Sequence, residues 1–313
     1  MRRIIYSIVV LMMLALTGCT DGGGETGTKT DPFIGGVNGV TVEFAEGNPP
    51  EEVYDGGDNP FDVTVVLENK GETLVENGDV QVKLSGILAS EFGTSESDLK
   101  VNPDEDLIET KKNAEGGTIK GPRVFVTFSD LNREEELEGN KQYPIRADVC
   151  YLYETRAMAD ICVRENNVDT TKEGVCDVNE QKVVYNSGAP VHVTDFKEYP
   201  RAEDKVGFSF KVTHVGSGDL YKKDTQCSDE VNTDEDKVWV DISTDLGGGL
   251  SCSGLSDGDD TSGYIRLYDR ERQITCTQQV STQSDYETPV NIKLQYDYEI
   301  ERTSTILVKH SVS

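Results

Sequence analysis

The sequence lacks most of the motifs that carry enzymatic chemistry. A zinc-binding HExxH, a P-loop and a GxGxxG turn that opens a helix are all missing, and these motifs mark metalloproteases and nucleotide-binding proteins. Its three histidines, His192, His214 and His310, have no metal-ligand spacing, and no CxxC pair supports a zinc site. The sequence does not decide whether a pair of catalytic carboxylates of the glycosidase kind is present, because 58 acidic residues make any one pair uninformative. We therefore predict a protein that is not an enzyme and has no catalytic residues, cofactor or transition-metal centre.

Basic residues are scarce relative to acidic ones. The 313 residues hold 30 Lys and Arg against 58 Asp and Glu, for a net charge of −28. A field of that sign repels nucleic acid and anionic headgroups, and no basic patch along the sequence offsets it. We expect no nucleic-acid partner.

No apolar run is long enough for a lasting membrane span. The run from Ile4 to Leu16 follows Arg2 and Arg3, and a spanning helix needs about 20 residues. The basic start, the apolar run and Leu16-Thr17-Gly18-Cys19 have the order of a secretory signal. The last four residues resemble the lipobox of prokaryotic lipoproteins, which implies that Cys19 is diacylated and becomes the new N-terminus. An ordinary signal peptide is the alternative.

The segments after the signal suggest a lipid-anchored protein of two folded domains. We predict a signal peptide over 1–18, a flexible tether over 19–32, an N-terminal β-sandwich over 33–165, a hinge over 166–189 and a C-terminal β-sandwich over 190–313. The tether is Gly-, Thr- and Asp-rich and has no apolar periodicity. From Val40 onward, apolar residues alternate with polar ones between Gly, Pro, Asn and Asp, which is typical of an all-β chain. We expect the extracytoplasmic face of the cell membrane, at the cell surface or in the periplasm, as the location.

The two halves also look like internal repeats. Placing Ile145 on Ile292 without a gap aligns Tyr151 with Tyr298. Strand residues 61–67 lead into Asn69-Lys70-Gly71, as residues 206–212 lead into His214-Val215-Gly216. Chance similarity of two amphipathic segments is the alternative.

Six cysteines remain if Cys19 carries lipid, and an even number in an exported protein favours three disulfides. Reading 145–153 and 157–163 as an antiparallel hairpin places Cys150 opposite Cys162, so we predict that bond. Cys252 and Cys276 share a face with apolar neighbours and form the second predicted pair. Cys176 and Cys227 then pair by elimination.

The segment Phe61–Gly86 contains a strand, Asn69-Lys70-Gly71 and the strand Asp79–Leu84, and a similar order recurs over 205–243. It resembles the adhesion-related domains called CARDB and their immunoglobulin-like relatives. The whole chain is similar to uncharacterised archaeal surface lipoproteins. The resemblance implies tandem immunoglobulin-like sandwiches that serve adhesion, envelope structure or complex assembly, with an envelope protein or a glycan as partner. The antibody pattern of Cys, Trp and Cys is not met, because no Tyr lies two residues before Cys276.

Calcium is the one ligand with support from the residues. Asp55-Gly56-Gly57-Asp58-Asn59 and Asp257-Gly258-Asp259-Asp260 are acidic, Gly-bearing loops, and Ca²⁺ prefers oxygen ligands. Neither loop has the twelve-residue EF-hand pattern. The alternative function is therefore a lipoprotein that binds a glycan or Ca²⁺ through loops at one end of a sandwich.

Overall fold

Almost all regular structure in the described part of the chain is β-strand. The computed structural model describes residues 31–169, 174–228 and 233–311. Within these residues two 3₁₀ turns occur, at Asn77–Asp79 and Ala89–Phe92. The strands are β1 (Val40–Phe44), β2 (Glu52–Tyr54), β3 (Phe61–Asn69), β4 (Val80–Ser85), β5 (Lys100–Val101), β6 (Lys111–Lys112), β7 (Thr118–Ile119), β8 (Arg123–Leu131), β9 (Lys141–Val163), β10 (Val184–Asn186), β11 (Val191–Ala202), β12 (Lys205–His214), β13 (Asp219–Tyr221), β14 (Lys237–Thr244), β15 (Leu250–Ser253), β16 (Ser262–Arg266), β17 (Glu271–Gln279) and β18 (Tyr286–Lys309). The prediction of an all-β chain is confirmed.

These strands form three larger sheets and one short hairpin. One sheet has the order β1-β3-β8, and a second has the order β11-β12-β17-β15. The third and largest has nine strands, with the path β16-β14-β18-β9-β4-β5 and with β10, β13 and β2 paired at its sides. β6 and β7 pair only with each other. Every pairing is antiparallel except that of β2 with β18.

The strands form where the period-two pattern places apolar side chains on one face. In β3 the side chains of Val63, Val65 and Leu67 are fully buried, and their polar neighbours are not. In β12 the rings of Phe208 and Phe210 are fully buried and both stack on Phe196 of β11. Residues from both halves of the chain belong to one continuous hydrophobic core.

A long two-stranded ribbon lies at the centre of the nine-stranded sheet. β9 has 23 residues and β18 has 24. The two run antiparallel from Tyr286 opposite Val163 to Val308 opposite Lys141, with no shift in register. The ribbon therefore joins the two halves of the chain over its full length.

The predicted hairpin of 145–153 with 157–163 is wrong, because both segments belong to the single strand β9. Its inward-facing positions continue without a change of phase through Tyr153, Thr155 and Ala157, all of which are buried. The intervening Glu154-Thr155-Arg156 contains no Gly, Pro or Asn to favour a turn. β18 supplies the partner for the entire strand.

The order of strand pairing repeats between the two halves. β1-β3-β8 in the first half corresponds to β11-β12-β17 in the second, and β4 on β9 corresponds to β14 on β18. Tyr151 and Tyr298, which the repeat alignment superimposes, lie directly opposite each other in the ribbon. The local two-fold axis of the repeat therefore passes between these two tyrosines.

The predicted hinge does not separate two sets of sheets. The nine-stranded sheet contains strands from both sides of residues 166–189. The described residues from Pro32 onward form one compact unit.

Candidate functional site

A polar groove lies on the outer face of the nine-stranded sheet, close to the local two-fold axis. Even-numbered residues of β9 and odd-numbered residues of β18 face outward there, because their neighbours fill the core. The groove has a volume of about 420 Å³. It is lined by Arg146, Asp148, Ser217, Gly218, Asp219, Glu299, Ile300 and Glu301.

One guanidinium lies among the four carboxylates of this groove. Arg146 Nε lies 2.6 Å from Asp148 Oδ1, and Nη1 lies 3.4 Å from Glu301 Oε2. The charge of Asp148 raises the pKa of Arg146. Burial raises the pKa of Glu299, and the nearby carboxylates of Asp148 and Asp219 add to the effect. The groove thus offers acceptors for hydroxyl or amine hydrogens and a donor already held in place.

A disulfide-bonded loop borders the groove. Cys150, which lies directly opposite Glu299 in the ribbon, is bonded to Cys227. The buried carboxylate of Asp297 accepts hydrogen bonds from the backbone N–H groups of Asp224 (3.0 Å) and Thr225 (2.8 Å). These contacts hold the loop against β18. A second, smaller depression of about 200 Å³ lies beside it and includes Cys150 and Asp297 in its lining.

The disulfides correct two of the three predicted pairings. The structure has Cys150–Cys227 and Cys162–Cys176 in place of Cys150–Cys162 and Cys176–Cys227. Since Cys150 and Cys162 lie on one extended strand, twelve residues separate them by roughly 40 Å. The predicted pair Cys252–Cys276 is confirmed. It joins directly opposed residues of β15 and β17.

Two buried carboxylates were missed by sequence reasoning. The fully buried Glu198 of β11 accepts hydrogen bonds from the backbone N–H of Cys162 and lies 3.2 Å from Lys182 Nζ. Burial raises the pKa of Glu198 to about 7. The sequence did contain a signal for this burial. Glu198 lies two residues after the buried Phe196, so the alternation along β11 places its side chain on the inward face.

The second is Glu72, in the loop after β3. Its carboxylate accepts hydrogen bonds from the N–H groups of Ile34 (2.9 Å), Gly35 (2.9 Å) and Gly188 (2.7 Å). It thereby fixes the first described residues of the body to both halves of the chain. No sequence motif identified Glu72, since the N–H groups that donate to its carboxylate come from distant segments of the chain.

Each histidine has a partner within the fold. His192 Nε2 lies 3.1 Å from the carbonyl oxygen of Gly36, and His310 Nδ1 lies 3.0 Å from Asp55 Oδ2. The buried His214 lies with its Nε2 3.0 Å from Tyr298 Oη. Gly218 N–H donates to the same Tyr298 oxygen at 2.8 Å. The Tyr298 hydroxyl therefore links the ring of His214 to the backbone of Gly218.

Burial, with the nearby charge of Arg270, lowers the pKa of His214 to about 4. In the unfolded chain a histidine titrates near 6.5. The neutral ring thus contributes stability above about pH 6.5, and this contribution is lost as the pH falls through about 4.

We expect the Cε1 proton of His214 to titrate in NMR spectra with a midpoint near 4. His214→Gln keeps a hydrogen-bonding partner for Tyr298, and its spectrum identifies the His214 resonance by the loss of that signal. The variant should lose less stability on acidification than the parent protein. A midpoint for His214 near the ordinary value of 6.5 would contradict this account.

One carboxylate of each predicted calcium loop is used for contacts within the chain. Asp55 accepts hydrogen bonds from the N–H groups of Leu137 and Ser311, and these bonds, with that of His310, lower its pKa to about 2. Asp259 accepts from Thr261 and Ser262 of its own turn. Within residues 31–169, 174–228 and 233–311, no group of three or more His, Cys, Asp or Glu is arranged to hold a metal ion.

The predicted lipidation residue, Cys19, lies outside the described residues. In the part of the chain that is described, no helix is long and apolar enough to cross a membrane. No protein-family model matches the chain, and no curated protein is significantly similar to it.

Proposed function

We propose that the chain is a lipid-anchored extracytoplasmic surface protein that acts as a non-enzymatic adhesion, envelope-structure or complex-assembly module. In this proposal Cys19 carries the lipid, and the body consists of two immunoglobulin-like, CARDB-like sandwiches. The paired strand order of the two halves supports a duplicated sandwich. Fold-level analogy supports adhesion.

The three disulfides support the location. Such bonds form and persist in oxidising compartments outside the cytoplasm. Cys150–Cys227 bonds a loop to the outer face of β9, and Cys162–Cys176 bonds a loop to the end of the same strand. These two disulfides therefore stabilise the ribbon that joins the halves.

The observation that carries the proposal is the β9–β18 ribbon. An unbroken antiparallel pairing over the whole of both strands couples the two halves, and the hydrophobic core is continuous across them. Force or partner binding at one half is therefore transmitted to the other without a flexible joint. This suits a scaffold that positions other envelope components.

Cross-linking intact cells, followed by mass spectrometry of the chain and whatever is joined to it, tests the role. Recovery of one recurring envelope protein, through lysines of the described body, is the expected result. Recovery of the uncross-linked chain alone, under conditions that cross-link other surface proteins, would contradict an assembly role.

The anchor gives a separate prediction. Cys19→Ser should move the protein from the membrane fraction to the soluble fraction and remove the mass of two acyl chains, because the two buried chains supply the membrane affinity. Thr26→Ala, within the same tether, is the matched control and should stay with the membrane. Continued sedimentation of the Cys19→Ser protein with membranes would refute the anchor.

The groove favours a second candidate function, recognition of a hydroxyl-rich ligand such as a glycan. Its place on the outer sheet face differs from the sandwich-end loops expected from the sequence. Calorimetric titration with a glycan panel should give saturable heat that Glu299→Gln weakens and that Glu52→Gln, outside the groove lining, does not.

A further inference from the structure

A basic and apolar surface surrounds the place where the chain enters the folded body. Ile34 and Gly35 are bound by Glu72, whose neighbours Asn69–Gly71 form the base of this surface. Its exposed basic and large apolar residues come from three parts of the chain and are Val37, Lys70 and, between residues 108 and 123, Ile108, Lys111, Lys112, Ile119, Lys120 and Arg123. We call this set the tether-side surface.

Contacts around Asn69–Gly71 hold these segments together. Thr110 N–H donates to the Gly71 carbonyl at 2.8 Å, and the Thr110 hydroxyl donates to the Asn69 carbonyl at 3.1 Å. A Cβ on Gly121 would lie 3.5 Å from that same Asn69 oxygen. The β6–β7 hairpin leaves the body after Thr110 and returns at Gly121, so its base lies directly beside the entry point of the tether.

The charge of this surface is opposite to that of the molecule. The chain as a whole has a net charge of −28, yet the tether-side surface presents five Lys and Arg side chains. Among the nearby acids, Glu109 pairs with Lys111 at 2.9 Å, and Glu68 lies 3.6 Å from Arg123. Glu115, in the hairpin turn, is exposed. Four of the five basic residues lie within residues 111–123, so the expectation that the sequence has no basic patch is wrong for this segment.

The apolar members of this surface are among the exposed large hydrophobic side chains of the body. Val37, Ile108 and Ile119 are 47%, 38% and 57% exposed. Basic residues combined with exposed aliphatic ones are the composition of surfaces that rest in the headgroup region of a bilayer.

We propose that the tether-side surface rests on an anionic lipid surface and orients the body on the membrane. This inference depends on the proposed lipid anchor at Cys19. Thirteen residues lie between Cys19 and Phe33, and the fourteen Cα-to-Cα steps of a fully extended chain span at most about 50 Å. The acidic remainder of the body is repelled by anionic headgroups. A body held this close is therefore turned so that its basic side faces the lipid.

The test attaches the chain to vesicles chemically, so that it does not depend on lipidation in the cell. The other six cysteines are bonded, which leaves Cys19 as the one thiol of the chain 19–313 for coupling to a maleimide phospholipid. The vesicles contain phosphatidylcholine with phosphatidylglycerol, and their acyl chains are brominated to quench nearby tryptophan. Trp239→Phe removes the single native tryptophan.

In that background, the indole introduced by Ile119→Trp should be quenched severalfold more than the one introduced by the control Tyr268→Trp, at a position whose native side chain is 61% exposed in the second half. Adding Lys111→Glu and Lys120→Glu to the Ile119→Trp protein should reduce its quenching severalfold, because each basic residue near the surface contributes about 1 kcal/mol. Lys205→Glu with Lys293→Glu changes the net charge equally and should have little effect.

Equal quenching of the two introduced tryptophans, or quenching that the charge reversals at Lys111 and Lys120 leave unchanged, would overturn the proposal. Self-association of the uncoupled chain that the same reversals abolish would also overturn it, since the surface would then bind a second copy. Absence of lipid on Cys19 in cells would refute the proposed anchor. The quenching result would still be interpretable, because the coupling to vesicles is chemical and does not depend on lipidation.

Discussion

Gly71→Ala is expected to destabilise the body by about 3 kcal/mol or more, a large effect for adding one methyl group. A Cβ at this position would overlap Tyr153 Oη and the Gly188 carbonyl oxygen, and it would lie 3.0 Å from the Asn38 carbonyl oxygen. Two of these neighbours are backbone atoms, and Tyr153 is fixed in the core with 1% exposure. None of these three neighbours can move away without separating the two halves at their junction.

Gly78→Ala is the matched control. Gly78 lies in the exposed turn before β4, and a Cβ added there would have no other atom within 4 Å. Chemical denaturation of both variants should show a lowered midpoint for Gly71→Ala and a change within about 0.5 kcal/mol for Gly78→Ala. Equal stability of the Gly71→Ala protein and the parent would contradict the close approach of these segments.

Removing the Cys150–Cys227 disulfide is expected to cost about 4 kcal/mol. The bond closes a sequence separation of 77 residues, against 24 for Cys252–Cys276 and 14 for Cys162–Cys176. In the chain-entropy description the cost of losing a crosslink rises with the logarithm of the loop length. Cys150→Ser with Cys227→Ser should therefore lower stability more than Cys162→Ser with Cys176→Ser, for which about 3 kcal/mol is expected.

Peptide mapping without reduction checks the pairing itself. A fragment containing Cys150 joined to one containing Cys227 is expected. A fragment joining Cys150 to Cys162 would contradict the single strand β9, because that strand holds the two residues far apart. The Cys252→Ser with Cys276→Ser variant is the control of intermediate loop length in the denaturation series.

The strand pattern of this chain was readable from sequence, but the partners of the strands were not. Alternation places Val63, Val65 and Leu67 on one face whether β3 pairs within its own half or across the chain. The same alternation continued unbroken through Thr155, and this signal, together with the lack of a turn residue, distinguishes one long strand from a hairpin. The register of Tyr151 with Tyr298 depends on residues 147 positions apart, which no local pattern specifies.

The candidate site was less predictable because it is assembled from distant residues. Arg146 and Asp148 were visible on the polar face of their strand, yet Asp219 and Glu299 join them only through the pairing of β13 with β18. Cys252 and Cys276 were paired correctly because both positions share a face with apolar neighbours. Cys150 was paired incorrectly because its true partner lies in a loop, where periodicity carries no information.

The axis between Tyr151 and Tyr298 makes the body a covalent analogue of an isologous homodimer. Each repeat contributes one long strand to a seam that, in a two-chain assembly, would depend on protein concentration. Here the linkage through residues 164–190 makes the seam intramolecular, so dilution cannot separate it. A fragment cut at that linkage would expose an entire unpaired strand edge, which is the kind of edge that aggregates or recruits another copy. The two repeats are therefore obligate partners, and substitutions that weaken the seam act on both at once.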